Sequence, residues 1–565
     1  MRKENFKKLN LLMKIYKLDG YIIPKNDSFF TEQVKYDRLK LVSGFSGSAG
    51  IAVILKKENY LFVDNRYSIQ AKIESGKDFK ILNIHEKLPK NYFKNIILGF
   101  DPKLFTYYQL QYLFGKKIDL KPLGINLIDQ VFKTKKAKNK PFYSIPNYVV
   151  GISHKKKINL ISKYLKNKKA DFIFISAPEN VAWLLNIRGS DTPFSPLPNC
   201  NLILSKTKKI YLITDKHKIK RLIKEKKVSS KQFVNKNNFK YLINNLNGKK
   251  FIVDNKTLSV FNEDLIKSKF SIIDRIDPCY ILKSKKNPVE IKNMIQSHIL
   301  DGVALTKFII WIKNLKNKKL TEIEAEKKLE NFRKKSKNYL YPSFNTIAGT
   351  GSNGAIVHYR ATKKTNKVIK KKDLFLCDSG GQYKYGTTDV TRTLCFDKQP
   401  KKIKNIFTLI LKGHIAVATS NLTLQNTGGK LDIQARKFLK KSNLNYGHGT
   451  GHGVGYFLNV HEGPQSISKF NQVQFEEGMI LSNEPGYYKE GKFGIRIENL
   501  VYVKRLNNKI FFENLTMAPI DKDLINYKLL NKKEKDYLFN YHLLVYSKIS
   551  KFLSENEKNW LVKNL

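Results

Sequence analysis

The chain has 565 residues, 41% of them hydrophobic: too long for one core, and apolar enough to fill about three or four domains of ordinary size. It carries 105 Lys and Arg against 47 Asp and Glu, a formal net charge of +58, a balance that by itself suggests nucleic acid or an anionic membrane. Only 12 of those basic residues are arginine, the side chain favoured for bidentate phosphate recognition, and the 93 lysines are spread along the whole chain; the charge is therefore read as a solvated surface with no specific nucleic-acid partner.

Residues 1–8 lead into only a short apolar patch, with no signal-peptide core or small-residue cleavage site. No run approaches 18 consecutive apolar residues, so no membrane span is expected. Short β-rich runs such as residues 49–55 alternate with lysine-rich amphipathic segments, which predicts a mixed sheet covered by helices over residues 1–135. A charged stretch at 134–141, without apolar period and ending in Pro141, marks the first boundary. The same alternation, seen at 172–176, predicts a second α/β domain over 141–280. Neither region clusters acids, bases or thiols, so structural and gating duties are expected of both. A second boundary lies at 277–288, after which residues 289–295 begin a helical pattern. A third domain is expected over 285–507 and an extension over 508–565. The four cysteines, Cys200, Cys279, Cys377 and Cys395, are too scattered for a disulfide framework or a thiolate metal site and fit a reducing cytoplasm.

The third domain carries the chemistry. Asp378 and Asp389 flank a glycine-rich stretch between two apolar runs, the signature of a β-hairpin, which can set the two aspartates roughly opposite each other on adjacent strands. Glu484 and Glu498 repeat the device around Pro485, Gly486, Gly491 and Gly494. Between the hairpins, residues 448–455 (HGTGHGVG) are too rich in glycine for a helix and place His452 where the backbone can approach an ion closely. Four carboxylates and one imidazole converging on a point would repel one another and raise their own pKa values unless cations sat among them. Two divalent metal ions are the simplest resolution. Mostly oxygen donors with one imidazole favour Mn²⁺, with Co²⁺ or Zn²⁺ as substitutes. A metal pair about 3.5 to 4 Å apart would hold a bridging hydroxide, polarise a carbonyl and stabilise the resulting oxyanion, which points to hydrolysis.

The strings IVHYRAT (356–362), DSGGQYKYGTTDVTRT (378–393), HGTGHGVGYFLNVHEGP (448–464), NEPGYY (483–488) and FGIRIEN (493–499) resemble the pita-bread metallopeptidases, and among them the long, three-domain Xaa-Pro aminopeptidases. The resemblance extends to DGYIIPKND (19–27), SGFSGSAGIAVI (43–54) and VDNRYSIQA (63–71) in the first domain, NVAWLLNIRGSD (180–191) in the second, and LTMAPIDKDLI (515–525) with FNYHLLVY (539–546) in the extension. It implies an α/β multidomain fold: two creatinase-N-terminal-like α/β domains, then a pita-bread catalytic domain with a C-terminal extension. It also implies that Asp378 binds one metal, that His452 and Glu484 bind the other, and that Asp389 and Glu498 bridge them. Glu484 would shuttle a proton from the bridging water to the leaving proline nitrogen. His358 and His461 would hydrogen-bond the scissile carbonyl, His448 would wall the proline subsite, and Arg496, two residues before Glu498, would orient that carboxylate.

The implied activity is release of the first residue from peptides with proline in second place, by a cytoplasmic homodimer. Such bonds call for a dedicated enzyme because the proline nitrogen has no hydrogen and φ is fixed. A prolidase cutting Xaa-Pro dipeptides is the nearest alternative, and a binding module of this fold that has lost its metals is the alternative of another class. Tyr385 and Ala361 depart from residues common in close relatives, an acid and a proline. Arg392 is read as structural, and His85, His154, His217, His298, His414 and His542 as packing or surface residues.

Overall fold

Strand Gly20–Pro24 is buried at every position, as expected of a strand covered on both faces. Ile22, Val53, Phe62 and Leu98 pack on one side with Leu110, Leu113 and Phe114 of helix Tyr107–Phe114. Tyr21, Ile23, Ala52, Ile54, Leu61 and Val63 pack on the other with Leu9 and Met13 of helix Arg2–Ile15 and Leu127 and Ile128 of helix Leu127–Val131. The sheet runs, in spatial order, Lys80–Asn83, Asn59–Val63, Ile51–Leu55, Gly20–Pro24, Ile97–Phe100, Asp119–Pro122. Its central three strands are antiparallel and the flanking pairings parallel.

The structure is a computed structural model and describes residues 2–132, 140–315 and 319–564. It divides into two compact units, Met1–Tyr280 and Ile281–Leu565. The first unit contains a second six-stranded sheet, Phe233–Asn235, Ile210–Thr214, Asn201–Ser205, Phe172–Ile175, Lys250–Val253, Ser271–Asp274. It repeats the pattern of the first: two antiparallel central pairings flanked by parallel ones. The two expected mixed α/β folds are thus present and share one topology. The boundary expected at 134–141 lies almost wholly outside the described residues.

The first helix that lies wholly in the second unit is Pro288–Lys313. Asn287 caps it by accepting from Val289 N and Glu290 N, Glu290 returns the bond, and Pro288 occupies a first-turn position where no N–H is needed. By length and composition this helix is long and apolar enough to cross a membrane, although its sequence contains no unbroken apolar run of that length. Within the unit, 61% of its apolar window is buried. Leu305, Phe308, Ile309 and Ile312 pack on Leu329, Phe375, Cys377 and Val390, which is how the core helix of a folded domain is used. Two three-stranded sheets follow, Tyr339–Pro342 with Gly381–Tyr383 and Gly386–Thr387, and Ile347–Thr350 with Phe375–Ser379 and Val390–Leu394. A five-stranded sheet orders Glu462–Ile467, Gly451–Gly453, Ile480–Asn483, Asn499–Leu506 and Lys509–Asn514. Helix Lys532–Ile549, in the C-terminal region, buries Leu538, Tyr541, Val545 and Ile549 in a cluster with Ile406, Phe407, Ile410 and Leu411 of helix Lys401–Ala418.

Candidate metal centre

Each hairpin keeps one register across a break in its ladder. In the first, pairing runs from Phe375↔Leu394 to Ser379↔Val390 and resumes at Gln382↔Thr387. The inner part joins Ile347–Thr350 and the outer part joins Tyr339–Pro342, so the chain turns between two sheets at Gly380 and Asp389. Gly380 is required there, because a Cβ would lie 2.0 Å from Thr388 O and 2.3 Å from Ser343 Oγ. In the second hairpin, pairing runs to Asn483↔Asn499 and resumes at Gly486↔Arg496, leaving Glu484 and Glu498 opposite each other in the gap. Breaks of this kind release a residue from ladder geometry and re-aim its side chain. The aspartates differ from the simple hairpin expectation: Asp378 pairs with Thr391, and Asp389 falls across from Gly380, two residues out of step.

Strand Gly451–Gly453 brings in the imidazole. A Cβ on Gly451 would lie 1.9 Å from Ser482 O, so only glycine lets the strand approach this closely. Ser482 Oγ accepts from His452 N at 2.9 Å, and Glu484 N donates to Thr450 O at 2.8 Å. Asp389, His452 and Glu498 then offer ligand atoms within 4.8 Å of one another. His452 Nε2 is 3.4 Å from Asp389 Oδ2 and 3.6 Å from Glu484 Oε1. Asp378 enters through Arg496, whose Nη2 donates to Asp378 Oδ2 at 2.5 Å while Asp378 Oδ1 is buried without a hydrogen-bond partner.

The electrostatics agree with the crowding. Burial, then the charges of Asp389 and Glu484, lifts Asp378 to about 7 against the pull of Arg496. Glu498 is raised well above the usual carboxylate range by burial and by Asp389, Glu484 and Asp378 together. Burial also raises Glu484, opposed by His452 and Arg496. Burial disfavours charge on His452, but its hydrogen bond to Asp389 and the charge of Glu484 prevail and lift it to about 9. Protein groups alone would have to take up protons to share this space; divalent cations relieve the same repulsion and supply the buried Asp378 Oδ1 with a partner. The donor set therefore fits two oxygen-loving ions with one imidazole ligand.

Asp378, Asp389, Glu498 and Arg496 are buried, whereas His452, Glu484, His358, His448 and His461 are partly exposed, so the group has a closed floor and an open rim. His461 stands edge-on to His452 at 4.3 Å between ring centroids. His448 Nε2 lies 2.8 Å from Tyr488 Oη, which accepts from Arg496 Nη1 at 2.6 Å. His358 sits in the loop after Ile347–Thr350, and its neighbour Tyr359 packs with Leu376 and Tyr488. Arg496 differs from expectation. Its hydrogen-bonded carboxylate is Asp378, and its hydrogen-bond route to Glu498 runs through Thr391, which accepts from Arg496 Nε at 3.1 Å and donates to Glu498 Oε2 at 2.7 Å.

Models of metallopeptidase family M24 match residues 292–505 and its C-terminal region 509–565; models of the creatinase/prolidase N-terminal domain match 6–127 and 133–290. A probable Xaa-Pro aminopeptidase P of Laccaria bicolor is 35% identical over 99% of this chain and 92% of its own length, and Xaa-Pro aminopeptidase 1 of Dictyostelium discoideum is 36% identical over 98% and 95%. The chain belongs to the Xaa-Pro aminopeptidase P family of M24 metallopeptidases. A crystal structure of an X-prolyl aminopeptidase from Caenorhabditis elegans, described as cytosolic with a di-nuclear active site, superposes with a TM-score of 0.90 at 28% identity, covering 100% of this chain and 99% of that one. The fold is thus two creatinase-type domains, a pita-bread domain and its C-terminal region.

Sequence reasoning missed Thr391 and Tyr488, which link the histidines and carboxylates through Arg496. Tyr488 lies inside the NEPGYY string, and Thr391 faces Asp378 in the register, so both had a faint signal. Arg392 is structural, as expected: buried, it donates to Glu498 O, Pro519 O, Ala518 O and Asn499 Oδ1, tying the C-terminal segment to strand Val390–Leu394. Lys283 and Lys286, which pair with buried Glu462 beside His461, had none in a chain so rich in lysine.

Proposed function

We propose that this chain is a dinuclear-metal exopeptidase that hydrolyses the N-terminal Xaa-Pro bond and releases the first residue. The observation that carries the reading is the convergence of Asp378, Asp389, His452, Glu484 and Glu498 in a chain matched almost end to end by Xaa-Pro aminopeptidases. Asp378 would hold one ion, His452 and Glu484 the other, and Asp389 and Glu498 both; Mn²⁺ suits the donor set, with Co²⁺ or Zn²⁺ as substitutes. Bound divalent ions supply Lewis acidity, which acidifies water and polarises a carbonyl.

The chain's own residues do the rest. Glu484, on the partly exposed rim, takes a proton from the attacking water and returns it to the proline nitrogen, which has no hydrogen of its own and must be protonated to leave. His358 and His461 donate to the scissile carbonyl oxygen as charge develops on it. His448, held by Tyr488, walls the proline side. Arg496 fixes Asp378 directly and Glu498 through Thr391. Residues 1–135 and 141–280 would act as structural and gating domains, 285–507 as the catalytic domain and 508–565 as its extension. The full-length coverage favours the aminopeptidase over a prolidase. We assign the enzyme to the cytoplasm, in keeping with the relative described as cytosolic, as a homodimer acting on peptides with proline at position two.

The test is apo-protein reconstituted with single metals and offered Xaa-Pro dipeptides, Xaa-Pro-Xaa tripeptides and proline-free controls. Cleavage of the tripeptides restored by Mn²⁺ and absent with the controls is the expected result. Cleavage confined to dipeptides would establish a prolidase instead, and no metal-dependent turnover would refute the reading.

A further inference from the structure

The carboxylate of Glu322 is fully buried, yet among the described residues every hydrogen bond it accepts comes from a neutral donor of one loop and its edges. Thr350 N, at the end of strand Ile347–Thr350, donates to Oε1 at 2.7 Å. Asn353 Nδ2 lies 3.0 Å from both oxygens. Tyr359 Oη donates to Oε2 at 2.7 Å, and Lys367 N to the same oxygen at 3.0 Å. One side chain therefore grips the loop at its entrance, its middle and its exit. The exit is also zipped to the start of helix Glu322–Lys334: Glu322 N donates to Lys367 O at 3.0 Å and Ile369 N to Leu320 O at 2.8 Å. His358 is the residue before Tyr359; Ile356, Tyr359 and Ala361 pack with Ile347, Leu376 and Tyr488, while residues 360 and 362–364 are exposed, so one small cluster is the apolar anchor of this part of the loop. A long loop with few buried apolar contacts is costly to order; a carboxylate with several converging donors supplies that order locally.

We propose that Glu322 is a positioning residue for His358, fixing the 351–367 loop so that the imidazole is presented to the substrate carbonyl. The inference rests on the role given to His358 above. Glu322 acts only through the loop. Its requirement is for an acceptor pair: both oxygens face donors, so an amide in their place turns an N–H₂ towards N–H or O–H groups on one side.

The experiment is a double-mutant cycle on the metal-loaded enzyme, reading kcat, KM and metal stoichiometry. Glu322→Gln is expected to keep both metals and KM but lower kcat by roughly tenfold or more, part of the 10²-fold scale for a lost transition-state donor. In a His358→Ala background the same substitution is expected to cost nothing further, within about twofold, because the residue it positions is gone. Tyr359→Phe, which removes one donor and leaves the carboxylate its others, runs the same cycle if Glu322→Gln does not fold, with a smaller first step and the same disappearance. Effects that multiply in the double variant, or loss of metal in Glu322→Gln, would overturn this inference and leave the function standing. Normal kcat in His358→Ala would overturn the role of His358, and this inference with it.

Discussion

Replacing Arg496 by lysine tests whether the site depends on a charge or on a fork. The buried guanidinium donates Nη2 to Asp378 Oδ2 at 2.5 Å, Nη1 to Tyr488 Oη at 2.6 Å and Nε to Thr391 Oγ1 at 3.1 Å. Lysine keeps the positive charge, but one ammonium cannot reach three partners arranged around a plane. If it stays with Asp378, the bonds to Thr391 and Tyr488 are lost, and Thr391, which donates to Glu498 Oε2 at 2.7 Å, is free to rotate. Hydrogen bonds to a charged donor contribute about 1.5 to 3 kcal/mol each, so about 3 to 6 kcal/mol of organisation is removed. Each 1.4 kcal/mol of barrier is about tenfold in rate, so even the lower bound expressed in the transition state lowers kcat on the order of 10²-fold. Steady-state kinetics on an Xaa-Pro-Xaa peptide, with metal content of the same sample, read this directly. Arg496→Lys carrying two metals with kcat within about threefold of wild type would refute the reasoning, since nothing made in the transition state would have been lost.

Asp389→Asn is expected to abolish turnover in a folded protein, because a neutral amide is a poor bridge between cations; metal content and activity check it together. His461→Ala should keep both metals while kcat falls on the order of 10²-fold, whereas His452→Ala should lower metal occupancy itself; the opposite pattern would mean that the two roles are exchanged. His542 is buried, accepts from Ile520 N at 3.3 Å, and is held down to about 4 by burial and the nearby Arg392 charge. The unfolded chain takes up that proton below about pH 6.5 and the folded one only below about 4, so stability present at neutral pH is lost as pH falls through this window, about 2 kcal/mol by pH 5. His542→Gln should flatten that part of the pH dependence in denaturant midpoints, and an unchanged slope would contradict it. Any retention of DNA or RNA at low salt should fall steeply as salt rises, as counterion release requires; tight sequence-selective binding at physiological salt would revive a nucleic-acid role.

Much of the fold was legible because it rests on local pattern. The two mixed sheets announce themselves as short β-rich runs between amphipathic segments, and helix Pro288–Lys313 by the helical pattern that begins at residues 289–295. What pattern could not reach was the break in each hairpin. The glycines around Asp378 and Asp389 predict a turn, but only the competing partners, Ile347–Thr350 on one side and Tyr339–Pro342 on the other, put Asp389 across from Gly380. Nor could spacing show that Arg496 spends its shortest bond on Asp378, 118 residues away, when Glu498 is two residues along.

The sequence by itself determined the chemistry available: which carboxylates and imidazoles exist, in what order, and which glycines let the backbone approach them. Tertiary structure alone decided the connections among them, from Arg496 through Thr391 to Glu498 and from Glu322 across the loop of His358. The physical reason is range. Turn chemistry and periodicity act over a few residues and leave a trace in composition, whereas a buried hydrogen bond between distant segments is fixed by which surfaces pack, and its partners carry no mark in the sequence until they meet.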